Sequence, residues 1–233
     1  LIRMHQVMLA AGLGITSRSL FILIGLVSLI VAAMFIVRQP DFKKMLAFSS
    51  VEHMGILALG VGVGGVGIFG SMFHVVNHSI TKTLLFLAAG NIVHVCRTRT
   101  NREVRGLLQS QPVTAVLWIA GTLAIVGAPP FGTFLSKLTI LQGMVHEGRW
   151  ALAAAYLLVL GVIFASITAS VFPMVFSKHE EHEGDERPEP APEPLWSVLP
   201  LVVMAAGILV LGFYMPPFLA DVFNGITLSL GGK

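Results

Sequence analysis

Residues 73–87 read FHVVNHSITKTLLFL. Set aside His74, His78 and Lys82, and the stretch is an apolar helix with a few small polar residues. Residues four apart on a helix are near neighbours on one face. The three groups therefore form one ladder about 12 Å long, at roughly 1.5 Å rise per residue. Rungs about 6 Å apart imply that protons pass through intervening water, and Asn77 and Thr81 are polar groups that would hold it. Histidine accepts and releases protons near neutral pH because its ordinary pKa is about 6.5. A charged lysine at the centre of a membrane helix costs about 2.5–3.5 kcal/mol, so Lys82 is not expected there without a task.

The rest of the chain supplies the membrane. It has 233 residues, 55% hydrophobic and only 12% charged, with a mean hydropathy of +0.83. Soluble domains carry about 25% charged residues, so this much apolar surface points to lipid as the solvent. A bilayer core of about 30 Å takes roughly 20 apolar residues per helix. Six segments qualify, at 19–37, 45–63, 67–95, 113–142, 151–176 and 195–214. The single cysteine, Cys96, excludes a disulfide framework and any multi-cysteine metal or iron–sulfur site. No basic stripe with interleaved aromatics is present, so nucleic-acid binding has no support.

The chain starts at Leu1 without a secretory-leader pattern, and LIRMHQVMLAA (1–11) reads as the tail of a helix. The sequence is therefore expected to be a fragment. Arg38, Lys43 and Lys44 lie in one loop, and Arg97, Arg99, Arg102 and Arg105 in a second on the same side. The positive-inside rule puts that side in the cytoplasm, and a cell (inner) membrane is the expected location. The acidic, proline-rich stretch 178–194 reads as a flexible cytoplasmic loop. The closing MPPFLADVFNGITLSLGGK, broken by Pro216 and Pro217, reads as an interfacial or partner-contacting tail.

The fourth segment contains GAPPFGTFLSKLTIL (127–141). Pro129 and Pro130 remove two backbone donors and clash with the preceding turn, so the helix must break there. A break at membrane depth is tolerated where it is buried in protein or lines a wet cavity, and transporters place ion sites at such helices. Lys137 follows about two turns later. Glu52 and His53, in SSVEHMGI, lie inside the second span. A buried acid calls for a cationic partner, and Lys82 or a lysine of the preceding loop is expected to supply it. Lys43 is either a rim anchor or the outer end of a proton path. Gly62 to Gly67 fits G-x-G-x-x-G, but between two spans it serves a tight turn and close packing rather than a nucleotide. His179 to His182 (HEEH) lacks the zinc spacing of H-E-x-x-H.

Three stretches, DFKKMLAFSSVEHMGI, FHVVNHSITKTLLFLAAGNI and GAPPFGTFLSKLTIL, resemble the antiporter-like membrane subunits of respiratory complexes. That family includes proton-pumping subunits of NADH:quinone oxidoreductase, Mrp-type cation/proton antiporter subunits and subunits of membrane-bound hydrogenases. SVEHMGI is most similar to the hydrogenase-4 and formate hydrogenlyase type F branch. The resemblance implies an all-α integral membrane bundle and assigns residues 1–233 to the second of two inverted repeats, the C-terminal half, with one broken helix. It implies that His74, His78, Lys82, Lys137 and Lys43 move protons with water, and Glu52 and His53 join them by position. It further implies no cofactor in this chain, with Ni–Fe and Fe–S centres in partner subunits. Expected partners are other membrane subunits, a peripheral redox arm and the lipid bilayer.

Overall fold

The computed structural model describes residues 2–177 and 193–230. Ten helices follow one another: α1 Ile2–Ala10, α2 Gly14–Ile36, α3 Phe42–Val63, α4 Val66–Cys96, α5 Leu107–Ser110, α6 Pro112–Val126, α7 Gly132–His146, α8 Trp150–Phe176, α9 Leu195–Phe213 and α10 Pro217–Ser229. The described residues form no strand. Five helices (α2, α3, α4, α8 and α9) are long and apolar enough to cross a bilayer. The sixth expected span is present as two 15-residue halves, α6 and α7. The chain is a multi-pass membrane bundle with one broken helix, as its sequence implied.

Polarity runs inward. Leu23, Val27, Leu157, Leu158 and Val203 are exposed on the outer faces, while Glu52, His53, His74, Ser136 and Lys137 are buried. In lipid the outside is free to be apolar, and polar groups must find partners within the bundle. The interior packs around Phe42 and Trp118, whose rings meet edge to face at 5.7 Å, with Leu29, Ile36, Leu59 and Leu85 in the same cluster.

Small residues bring the helices that carry the site close together. A methyl group on Gly25 of α2 would lie 2.7 Å from the Gly55 carbonyl oxygen of α3. The reciprocal methyl on Gly55 would lie 2.8 Å from the Gly25 carbonyl oxygen, so the two backbones touch. Gly64 and Gly65, at φ of 89° and 48°, turn α3 directly into α4. The G-x-G-x-x-G match is therefore a membrane turn.

Asp41 accepts from the Lys43 and Lys44 backbone amides at 2.8 and 3.0 Å, which makes it the N-cap that starts α3. The two basic loops are stapled beside this cap. Asp41 bridges Thr100, the Phe42 amide donates to the Arg99 carbonyl, and the Asn101 amide donates to the Pro40 carbonyl. They lie on one side of the bundle, as the loop count required.

The tail and the end of the acidic stretch take definite form at their described residues. Residues after Pro216 form a helix, α10, with Pro217 at its first turn, where a missing N–H is harmless. Phe223 of α10 is buried against Phe69 and Phe73 of α4. Most of 178–194, including the HEEH stretch, lies outside the described residues. Glu193 is not a free linker residue: its carboxylate accepts from the Val113 and Thr114 amides and caps α6.

Candidate functional site

The break between α6 and α7 is built by a full accounting of backbone groups. Gly127, at φ 86°, ends α6 in a left-handed turn. The Ala128 amide donates to the Leu123 carbonyl and the Gly127 amide to the Ala124 carbonyl, which is the Schellman pattern. Ala124 also accepts from the Thr133 hydroxyl, tying the start of α7 to the end of α6. The last two carbonyls, Ile125 and Val126, each accept from Lys137 Nζ at 3.2 Å. A cation thus sits at the negative end of the half-helix, on groups that α6 itself cannot satisfy. The Pro129–Pro130 bond is cis, and Gly212 of α9 packs against the Pro130 carbonyl, so protein covers the break.

Glu52 completes that site. Its carboxylate lies 3.2 Å from Lys137 Nζ, and both residues are buried. This corrects the expected partner. Lys82 instead donates to the Leu46 carbonyl and to the Ser49 hydroxyl (2.6 Å), with its ammonium 5.6 Å from the Phe86 ring centroid. The reason is register. Leu46 and Ser49 lie one to two turns before Glu52 on α3, so α4 delivers Lys82 nearer the basic side. The break in α6/α7 places Lys137 at the level of Glu52, near the middle of the 22-residue α3.

The histidine ladder also differs from its single-helix reading. The rings of His74 and His78 are 6.3 Å apart, as spacing required. Between them stands His53 of α3, with ring centroids 4.9 Å from His74 and 4.5 Å from His78. His53 Nδ1 is hydrogen-bonded to His74 Nε2 at 2.7 Å, and His74 Nδ1 to Ser136 Oγ at 2.7 Å. The gap expected to hold only water therefore holds a third imidazole.

The direction of this chain follows from one hydroxyl. Ser136 donates to the Thr133 carbonyl at 2.9 Å. With its single proton directed to Thr133, Ser136 accepts from His74 Nδ1–H. His74 Nε2 in turn accepts from His53 Nδ1–H, which leaves the His53 Nε2 lone pair open and without a partner among the described residues. Both nitrogens of His74 are engaged, whereas His53 has one free to take a proton.

The supporting polar groups are partly self-satisfied. Thr81 donates back to the Asn77 carbonyl and Asn77 Nδ2 to the Phe73 carbonyl. Asn77 Oδ1 is buried without a partner among the described residues, in space that exists because Gly132 carries no side chain. A cavity of about 300 Å³ lies against Lys137 between α7 and α8, bordered by Gly127, Phe134, Tyr156 and Phe164. Lys43 stands apart: half-buried at the start of α3, its side chain makes no hydrogen bond or ion pair with another described residue. Ser49, Ser136 and Thr133 were not singled out from sequence. Their one visible signal is a hydroxyl beside a motif residue, as in SSVEH and GTFLSK.

Residues 1–163 match the transmembrane family described as NADH:quinone oxidoreductase/Mrp antiporter. The chain belongs to that family. It is 35% identical over 208 residues to a hydrogenase-4 component F homolog of Methylacidiphilum infernorum, covering 88% of this chain and 42% of that protein. It is 28% identical over 237 residues to Na(+)/H(+) antiporter subunit A1 of Staphylococcus haemolyticus, covering 90% of this chain and 29% of the other. Among solved structures, a chain of an archaeal membrane-bound sulfane sulfur reductase superposes with a TM-score of 0.80 at 27% identity, over 92% of this chain and 42% of that one. A chain of respiratory complex I from Thermus thermophilus gives 0.80 at 26%, over 95% and 47%. The antiporter-like fold is thus established, and this chain spans less than half the length of each of these relatives.

Proposed function

We propose that the chain is the C-terminal half, residues 1–233, of a proton-translocating membrane subunit of a redox-driven respiratory complex in the cell (inner) membrane. The observation that carries this reading is the buried Glu52–Lys137 pair at the helix break, beside an imidazole with an open nitrogen. A buried ion pair is poor value as pure stabiliser, because desolvation consumes much of its Coulomb energy. An intramembrane carboxylate and five cationic or imidazole groups, Lys82, His78, His53, His74 and Lys137, along one polar seam are a path for protons.

In this reading Lys82 is the group nearest the basic side, about 6 Å inside the start of α3 if it lies level with Leu46. His78 and His53 carry the proton inward, and Glu52 with Lys137 forms the inner terminus. His74, bound on both sides, holds His53 in its tautomer rather than carrying the proton itself. Water crosses the gaps that hydrogen bonds leave. Lys43 would act as a rim anchor that keeps the basic side in the cytoplasm.

The 35% relative supports a membrane-bound group 4 nickel–iron hydrogenase as the parent complex. Nickel–iron and iron–sulfur centres would then belong to partner subunits in a peripheral redox arm, with other membrane subunits alongside. The antiporter relative favours a second reading, a Na⁺/H⁺ antiporter subunit with no redox partner. Purifying the intact complex and analysing its subunits and metals separates them. Nickel together with redox-driven acidification of vesicles is the expected result. Sodium-dependent proton exchange by a metal-free complex would overturn the hydrogenase reading, and absence of any proton movement would overturn both.

A further inference from the structure

We infer that the basic rim carries a binding site for the phosphate headgroup of an anionic phospholipid, a site independent of the proton path. A cavity of about 340 Å³ opens where the two stapled loops meet the end of α8. Arg38 enters from the first loop, Arg102 and Arg105 from the second, and Ala169, Ser170 and Pro173 of α8 form the far wall. Asn101, buried between the loops, fixes their spacing by donating its amide to the Pro40 carbonyl and its side chain to the Gln39 carbonyl. The Arg105 guanidinium is held by the Asn101 carbonyl at 3.2 Å, and the Gly106 amide donates to the Ser177 carbonyl, locking loop to helix.

The nearby carboxylates are otherwise engaged. Asp41 caps α3, and Glu103 accepts from the Thr98 hydroxyl. No described carboxylate pairs with any of the three arginines. Guanidinium forks match phosphate oxygens in bidentate geometry, and basic pockets between membrane helices on the cytoplasmic side suit anionic headgroups. The wall adds groups for a hydroxylated headgroup. The Ser170 hydroxyl has no hydrogen bond to another described residue, unlike that of Ser166, which donates to the Val162 carbonyl. Pro173 lacks an N–H, so the Ala169 carbonyl has no helical donor.

The flanks decide between a lipid and a free phosphate. Met34 and Phe35 at the end of α2 are 72% and 52% exposed, and Phe176 at the end of α8 is 60% exposed. Acyl chains have apolar surface to lie on just inside the cation cluster, whereas inorganic phosphate gains nothing from it.

The test uses the full complex, purified in detergent and stripped of lipid. Its thermal unfolding is followed alone, with phosphatidylglycerol, with phosphatidylcholine and with inorganic phosphate. Phosphatidylglycerol is expected to raise the midpoint, and neither of the other additions should. R38Q/R102Q/R105Q should abolish the shift. R38K/R102K/R105K keeps the positive-inside charge but loses the fork, and should retain less than half of the shift. That variant carries the test if the glutamine variant fails to assemble. An equal shift with phosphate, no shift with phosphatidylglycerol, or full retention of the shift in the tested variant overturns the site.

Discussion

Lys137 and Glu52 are 85 residues apart in sequence and 3.2 Å apart in space, and the lysine is shared between that carboxylate and the carbonyl end of α6. Removing one partner leaves the other as an uncompensated buried charge. K137A is therefore expected to destabilise the complex by about 3–5 kcal/mol, and E52Q/K137M to recover most of that. Both variants should lose proton transport in reconstituted vesicles. Recovery of stability together with recovery of transport would show that the pair is only structural.

Lys82 gives the cleaner transport variant, because it has no buried carboxylate to orphan. K82A should leave the complex assembled while proton uptake into vesicles falls to background. Wild-type rates in K82A would exclude Lys82 from the path.

Ser136 acts only through His74, and this makes its variant diagnostic. S136A frees the His74 tautomer and should slow transport about tenfold, equivalent to about 1.4 kcal/mol for one hydrogen bond. H74A and H74A/S136A should transport at the same rate, since the serine has nothing left to orient. Additive losses in the double variant would mean that Ser136 contacts the proton directly.

The Gly25–Gly55 crossing admits no methyl group. G25A or G55A must push α2 off α3, at about 1–3 kcal/mol of overpacking. Thermal unfolding of the complex should register this for each variant, and G90A, at a position with nothing within 4 Å, should not.

The α6 cap is a milder test. E193A removes the carboxylate that serves the Val113 and Thr114 amides, and is expected to lower stability by about 1 kcal/mol without altering transport.

Much of this is legible in the sequence. Local spacing placed His74, His78 and Lys82 on one face, and Pro129 with Pro130 required the break, because both rules act within a single helix. The partner of Glu52, Lys137 rather than Lys82, is not legible there for the opposite reason. Pairing across helices depends on how far the break displaces α7 along the bundle, and no spacing encodes that. The insertion of His53 between His74 and His78 is likewise a matter of how α3 and α4 interlock, even though His53 itself stood out as polar in a span. Ser136 carries no signal of its own in the sequence, because a small hydroxyl in a membrane helix usually bonds back to its own backbone, as Ser79 and Thr83 do here.

The ammonium of Lys137 has three hydrogens, and the structure offers it three acceptors: one carboxylate oxygen and two carbonyls. A neutral amine has only two hydrogens. In the proposed relay, each departure of that proton strands one acceptor, so that water must arrive or the end of α6 must move. The broken helix thus turns the presence of a single proton into a change in backbone hydrogen bonding, a mechanical signal that neighbouring helices can feel.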